Sequence, residues 1–136
     1  MGSINPEYTD LQITCAEDCG NAPKKKVLKE FNIAFVQRDI GFITEHIADN
    51  LLWNLAGSKQ IQGKDRFVDA LQQMMVHRAT ELSISNIITH GNTGSVNGVF
   101  KMENKREFAF CHVYRFSSAG KNAKVKEITS YIIEVS

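Results

Sequence analysis

The chain has 136 residues, 43% of them hydrophobic and 23% charged, with 16 Lys and Arg against 15 Asp and Glu. That length is one domain's worth, and a compact fold of this size removes roughly 68% of the unfolded chain's surface from water, so a core forms without staples. A formal charge of +1 sets up no field toward nucleic acid or an anionic membrane, and no apolar stretch approaches the ~20 residues of a bilayer span.

Residues 1–22 carry no helical period. Leu11, Ile13 and Cys15 fall in phase on a weakly alternating stretch, which reads as an extended arm lying as an edge strand on the body. The first residues lack the apolar segment of a secretory signal. Cys15, Cys19 and Cys111 form neither a disulfide framework nor two close pairs of zinc ligands. They read as free thiols in a reducing cytoplasm.

Pro23 suits the first turn of a helix. From Lys24 to Arg38, Val27, Leu28, Phe31, Ala34 and Phe35 mark one apolar helical face. Asp39 caps a second, shorter helix carrying Ile40, Ile43 and Ile47, which Asp49-Asn50 ends. A strand follows at Leu51 to Leu55, closed by Gly57. A third helix runs from about Lys64 to His77 with Phe67, Val68, Leu71, Met74 and Met75 on one face. Met74 and Met75 read as core filler.

After His77 the period changes to two. Four strands in series, centred on Leu82–Ile88, Val96–Met102, Phe108–Phe116 and Val125–Val135, are joined by short Gly/Asn turns and predict an antiparallel meander. Helices first and strands after argue an α+β fold with helices on one face of a curved sheet. The organisation is an extended arm over residues 1–22 and a single domain over residues 23–136. Gly57 to Asp65 is a turn plus helix start, since it has the wrong spacing and final residue for a P-loop. His46, His77 and His90 have no metal-ligand spacing and read as solvated surface.

Two helices, a strand ending in Trp-x-x-x-Gly, a Gly-Lys-Asp helix start and a four-strand meander together resemble the nuclear transport factor 2-like superfamily, and within it the SnoaL-like branch of small bacterial proteins. The residues that carry the resemblance are Asp49 to Gly57, Ile61 to Asp65, Val113-Tyr114-Arg115-Phe116 and the Gly120-to-Tyr131 strand. They span roughly residues 24–135. The resemblance implies a cone in which helices and a strongly curved, mostly antiparallel sheet enclose one pocket, and a homodimer formed through the sheet.

His112 is the candidate catalytic residue, a polar side chain on the aromatic row Phe108, Phe110, Tyr114 and Phe116. A neutral imidazole in a dry pocket can accept or donate a proton. Counted back from Arg115-Phe116, it resembles the strand position where ketosteroid isomerases hold a protonated acid that donates to an oxyanion. The rest of that machinery does not match. The isomerases' tyrosine falls near Phe31, and their general-base carboxylate falls at Asn54 or Leu55, so steroid-type isomerisation is not supported. Arg115 and Cys111 share the opposite face of the strand from His112.

The candidate ligand-binding residues are Trp53, Asn54, Phe31, Phe35, Phe110, Tyr114 and Ser130. Trp53 and Asn54 are adjacent on a strand, so only one faces the pocket. Ser130 points inward in phase with Ile128 and Ile132, and a one-residue slip in register would swap each such assignment. The expectation is a protein that binds a small apolar or aromatic metabolite without catalysis, using no cofactor and no metal. The alternative is a cofactor-independent isomerase, cyclase or dehydratase in which His112 transfers the proton.

Overall fold

Pro23 opens α1 (Pro23–Gln37), which buries Leu28, Phe31, Asn32, Ala34, Phe35 and Val36 in a computed structural model describing residues 11–15, 22–74, 77–120 and 122–135. Arg38, at φ 59°, takes the left-handed conformation and ends the helix. Asp39 then caps α2 (Ile40–Glu45), its Oδ1 accepting from the Phe42 N–H at 3.2 Å. The second helix is shorter than the apolar spacing suggests, because Ile47 is the first residue of β2 (Ile47–Leu55). Asp49 and Asn50 mark no helix end. They sit in an irregularity of that strand, where its register with the last strand shifts between Ile47 and Leu52.

A further strand was not legible in the sequence. After the turn at residues 56–58, β3 (Lys59–Gln62) pairs antiparallel with β2. Only Ile61 in Lys-Gln-Ile-Gln is apolar, so period two has nothing to register on. Then follow α3 (Lys64–Met74) and the expected meander of β4 (Ala79–His90), β5 (Thr93–Met102), β6 (Glu107–Phe116) and β7 (Val125–Glu134).

The segment β1 (Gln12–Cys15) adds to β4 in parallel as an edge strand. The sheet runs in the order β1-β4-β5-β6-β7-β2-β3, with β1 and β4, and β2 and β7, parallel and the other neighbours antiparallel. It is open, with β1 and β3 as its edges. The three helices lie against the sheet and enclose a core that includes Leu28, Phe31, Trp53, Phe67, Leu71 and Phe116.

Two expectations about single residues change. Cys15 is disulfide-bonded, whereas Cys111 is a free, half-buried thiol, so the reading of three free cysteines in a reducing compartment loses its support. Met74 is 45% exposed and does not fill the core; the side chain of Met75 lies outside the described residues. No helix among the described residues is long and apolar enough to cross a membrane.

Candidate functional site

Strands β2, β6 and β7 lie side by side in the sheet, and their inward side chains meet beneath α1. His112 pairs with Ser130 across β6 and β7, and Trp53 pairs with Ile128 across β2 and β7. That register puts three side chains within reach of one another. The Trp53 indole N–H donates to Ser130 Oγ at 2.9 Å, and Ser130 Oγ lies 2.7 Å from His112 Nδ1.

Hydrogen-bond accounting fixes the direction of this chain. Trp53 can only donate, so Ser130 accepts from it. Ser130 then has one hydrogen, and its partner is His112 Nδ1. With Ser130 donating to Nδ1 each of the three groups has a described partner, and the imidazole proton then sits on Nε2. No described group bonds Nε2, yet it is not among the fully enclosed, unbonded side-chain polar atoms of the described residues. The 4% exposure that His112 retains therefore includes Nε2. Burial pushes the His112 pKa from 6.5 down to about 4, so the ring is neutral at pH 7.

Aromatic contacts tie the rest of the group together. The Phe110 ring stacks on His112 with centroids 5.0 Å apart, and Phe35 lies 5.6 Å from His112 and 6.0 Å from Trp53. Tyr114 is 6.1 Å from His112 and meets Phe31 edge-on at 5.8 Å. Asn32, which the sequence reading passed over, completes the polar set. Its Nδ2 donates to the Leu28 carbonyl at 2.8 Å and to Tyr114 Oη at 3.0 Å. The signal was present, since Asn32 stands four residues after Leu28 and four before Val36, on the apolar face of α1. Burial also pushes the Tyr114 phenol above its usual range.

Six of the seven candidate ligand-binding residues thus form one buried cluster with His112: Phe31, Phe35, Trp53, Phe110, Tyr114 and Ser130. Asn54 does not join it. Trp53 is the inward member of the pair, and Asn54 is half-buried on the other face of β2, level with Gln60 and Thr129. Arg115 and Cys111 face away from His112 as expected, with Arg115 Nε 3.6 Å from Glu127 Oε1 on the outer surface.

Beside the cluster lies a cavity of about 240 Å³. Its apolar walls include Phe35 of α1, Leu71 of α3, Phe100 of β5, Phe108 of β6 and Ile132 of β7, and its exposed mouth carries His77, Asn104 and Arg106. Phe35 is the member of the buried cluster that also lines this space. His77 is exposed, as expected of solvated surface, whereas Asn104 and Arg106 stand in the turn between β5 and β6, where no period flags them. His46 is not free surface: it is half-buried, stacked on Phe42 at 4.1 Å with Nδ1 2.8 Å from the Phe42 carbonyl. Among the described residues no three His, Cys, Asp or Glu side chains are placed to hold a metal ion.

The polar chain predicts its own stability effect. Ser130→Ala leaves the Trp53 N–H and His112 Nδ1 buried without a partner, which costs about 2 kcal/mol. The shift shows in the urea midpoint. An unchanged midpoint would mean that these groups are not bonded in solution.

No protein-family model matches the chain, and no curated protein matches it in sequence. Solved structures do match. A nuclear transport factor 2-like protein of unknown function from Cytophaga hutchinsonii ATCC 33406 superposes with a TM-score of 0.62 at 24% identity, covering 79% of this chain and 97% of its own. A protein assigned as a ketosteroid isomerase, from Kribbella flavida DSM 17836, gives 0.71 at 11% identity, covering 87% and 83%. A protein assigned as a SnoaL-like polyketide cyclase, from Shewanella denitrificans OS-217, gives 0.67 at 9% identity, covering 81% and 90%. The fold is the nuclear transport factor 2-like α+β cone, as the sequence resemblance implied.

Proposed function

Starting from a nuclear transport factor 2-like fold, we propose that this chain is a binding protein that takes one small apolar or aromatic molecule into the cavity beside Phe35 and does not transform it. The observation that carries this reading is the chemistry of the cavity lining, which offers a guest apolar walls and, among the described residues, no carboxylate base. The buried polar side chains among the described residues are Asn32, His112 and Ser130, and no carboxylate lines the cavity. The walls supply apolar area, the usual basis of affinity in a site of this kind.

A second reading has its own support. Nε2 of His112 carries a proton and is not fully enclosed, so it can donate to a developing oxyanion if a substrate brings its own acidity. That would make the chain a cofactor-independent isomerase, cyclase or dehydratase. The two readings differ in whether a bound molecule comes off unchanged.

The outer face of the sheet bears on assembly. Val113 on β6 and Tyr131 and Ile133 on β7 are 42%, 49% and 65% exposed, and they lie on neighbouring strands. Association of two copies through this face would remove that apolar area from water. Native mass spectrometry of the purified protein tests binding and assembly together. We expect a mass twice the chain's and, after incubation with small aromatic ketones, one molecule per chain released unchanged on denaturation. A product of altered mass would overturn the binding reading, and a monomer would overturn the assembly.

A further inference from the structure

The cavity is polar only at its mouth, and the polarity there is of one kind. Arg106 has five N–H donors, of which Glu134 takes Nε–H at 3.0 Å and one Nη2 hydrogen at 2.6 Å. Three remain, on a guanidinium held 5.2 Å from the Phe108 ring that forms the cavity wall. Asn104 behaves in the same way. Its Oδ1 is occupied by the Arg106 backbone N–H at 3.0 Å, leaving the two Nδ2 hydrogens. The third mouth residue, His77, has Nδ1 3.6 Å from Glu103 Oε2.

The two acids of this region bind the mouth residues but line no part of the cavity: Glu134 holds Arg106, and Glu103 sits between His77 and Arg78. A guest therefore meets a guanidinium with three unspent donors, paired on its other edge with Glu134, and a carboxamide with two, while no described carboxylate lines the cavity itself. Below them, among the described residues, it meets Phe35, Leu71, Phe100, Phe108, Ile132 and the two methionines Met74 and Met102.

We infer that the cavity selects amphipathic acids: a small hydrophobic carboxylate whose ring or chain lies between Phe35 and Phe108 and whose head group docks on Arg106 and Asn104. This rests on reading the cavity as a ligand site. A planar carboxylate matches the free edge of a guanidinium, and the charge-assisted bonds favour it over a neutral isostere. Binding at the mouth also leaves the ligand's charge partly hydrated, so its desolvation cost stays small.

The test is calorimetric titration at pH 7 with 2-naphthoate and its uncharged methyl ester, on the native chain and on Arg106→Gln. The native protein is expected to bind the acid about tenfold more tightly than the ester, the size of effect one hydrogen bond to a charged group supplies. In Arg106→Gln that preference should vanish while the ester's affinity holds. Equal affinities in the native protein, or a preference that survives in the variant, would overturn the head-group assignment and leave the cavity as a ligand site. Binding of neither probe would overturn the cavity reading and this inference with it.

Discussion

Replacing Gly98 by alanine is expected to destabilise the protein by about 3 kcal/mol or more, a fall in melting midpoint of roughly 10 °C for a domain of this size. Gly98 lies on β5 opposite Ile84 of β4, where the register of the two strands shifts between Ile84 and Asn86. The backbones approach so closely there that an added Cβ would sit 2.0 Å from the Ser83 carbonyl oxygen and 3.0 Å from Ile84 Cα. Backbone cannot turn aside as a side chain can, so β4 and β5 must part at the irregularity that bends the sheet.

Two other glycines calibrate the result. At Gly94 the nearest atom is Leu28 Cδ1 at 2.8 Å, the movable end of a side chain, so Gly94→Ala should cost less. Gly41 is helical with only Asp39 Oδ1 near, at 3.8 Å, so Gly41→Ala should be neutral or gain up to ~1 kcal/mol of helix propensity. Thermal denaturation of the three variants checks the order. A Gly98→Ala protein that melts with the wild type would mean that the strands do not approach as described.

Acid should weaken the fold by about 3 kcal/mol through His112 alone. The unfolded chain protonates this histidine near pH 6.5, whereas burial delays protonation in the folded chain to about pH 4. Above pH 6.5 the ring is neutral in both states and contributes no pH dependence. Between these limits the unfolded state binds the extra proton, so stability falls as pH falls, at ~1.4 kcal/mol per pH unit. The paired carboxylates Glu103 and Glu134, whose pKa values are lowered by Arg78 and Arg106, lose stability in the same direction at the acid end.

His112→Phe separates these contributions, because it keeps an aromatic ring against Phe110 and cannot titrate. Urea denaturation of both proteins from pH 7 to pH 4 should show the wild type losing stability faster than the variant between pH 6.5 and pH 4. The difference should be flat above pH 6.5. Parallel curves would mean that His112 reaches water in the folded protein, and the polar chain through Ser130 and Trp53 would fail with it.

The apolar periods carried a large part of this protein. Every third or fourth residue from Leu28 to Phe35 turned one face of α1 inward, and alternation along Phe110, His112, Tyr114 and Phe116 placed four side chains on the core side of β6. These patterns are local and repeat several times within one element, so a single reading finds them. The same parity set Cys111 and Arg115 outside without any structure. Asn32 obeys the helical period too, but a polar residue on an apolar face names no partner by itself; Tyr114, 82 positions away, is supplied by the packing of α1 on β6.

What the sequence determined by itself was therefore the order of the main elements and which face of each looks inward. What only the tertiary structure decided was which inward faces meet. The parallel pairing of β2 with β7 brings Trp53 to Ser130, 77 positions apart, and the β6–β7 register adds His112. The strand β3 has one apolar residue and exists because β2 offers it a free edge. The mouth of the cavity is drawn from His77, between α3 and β4, and from Asn104 and Arg106 in the turn between β5 and β6, none of which has a period to read. Period reports the environment of one element at a time. A site depends on contacts between distant elements, and those are fixed by strand pairing and helix packing that no local pattern encodes.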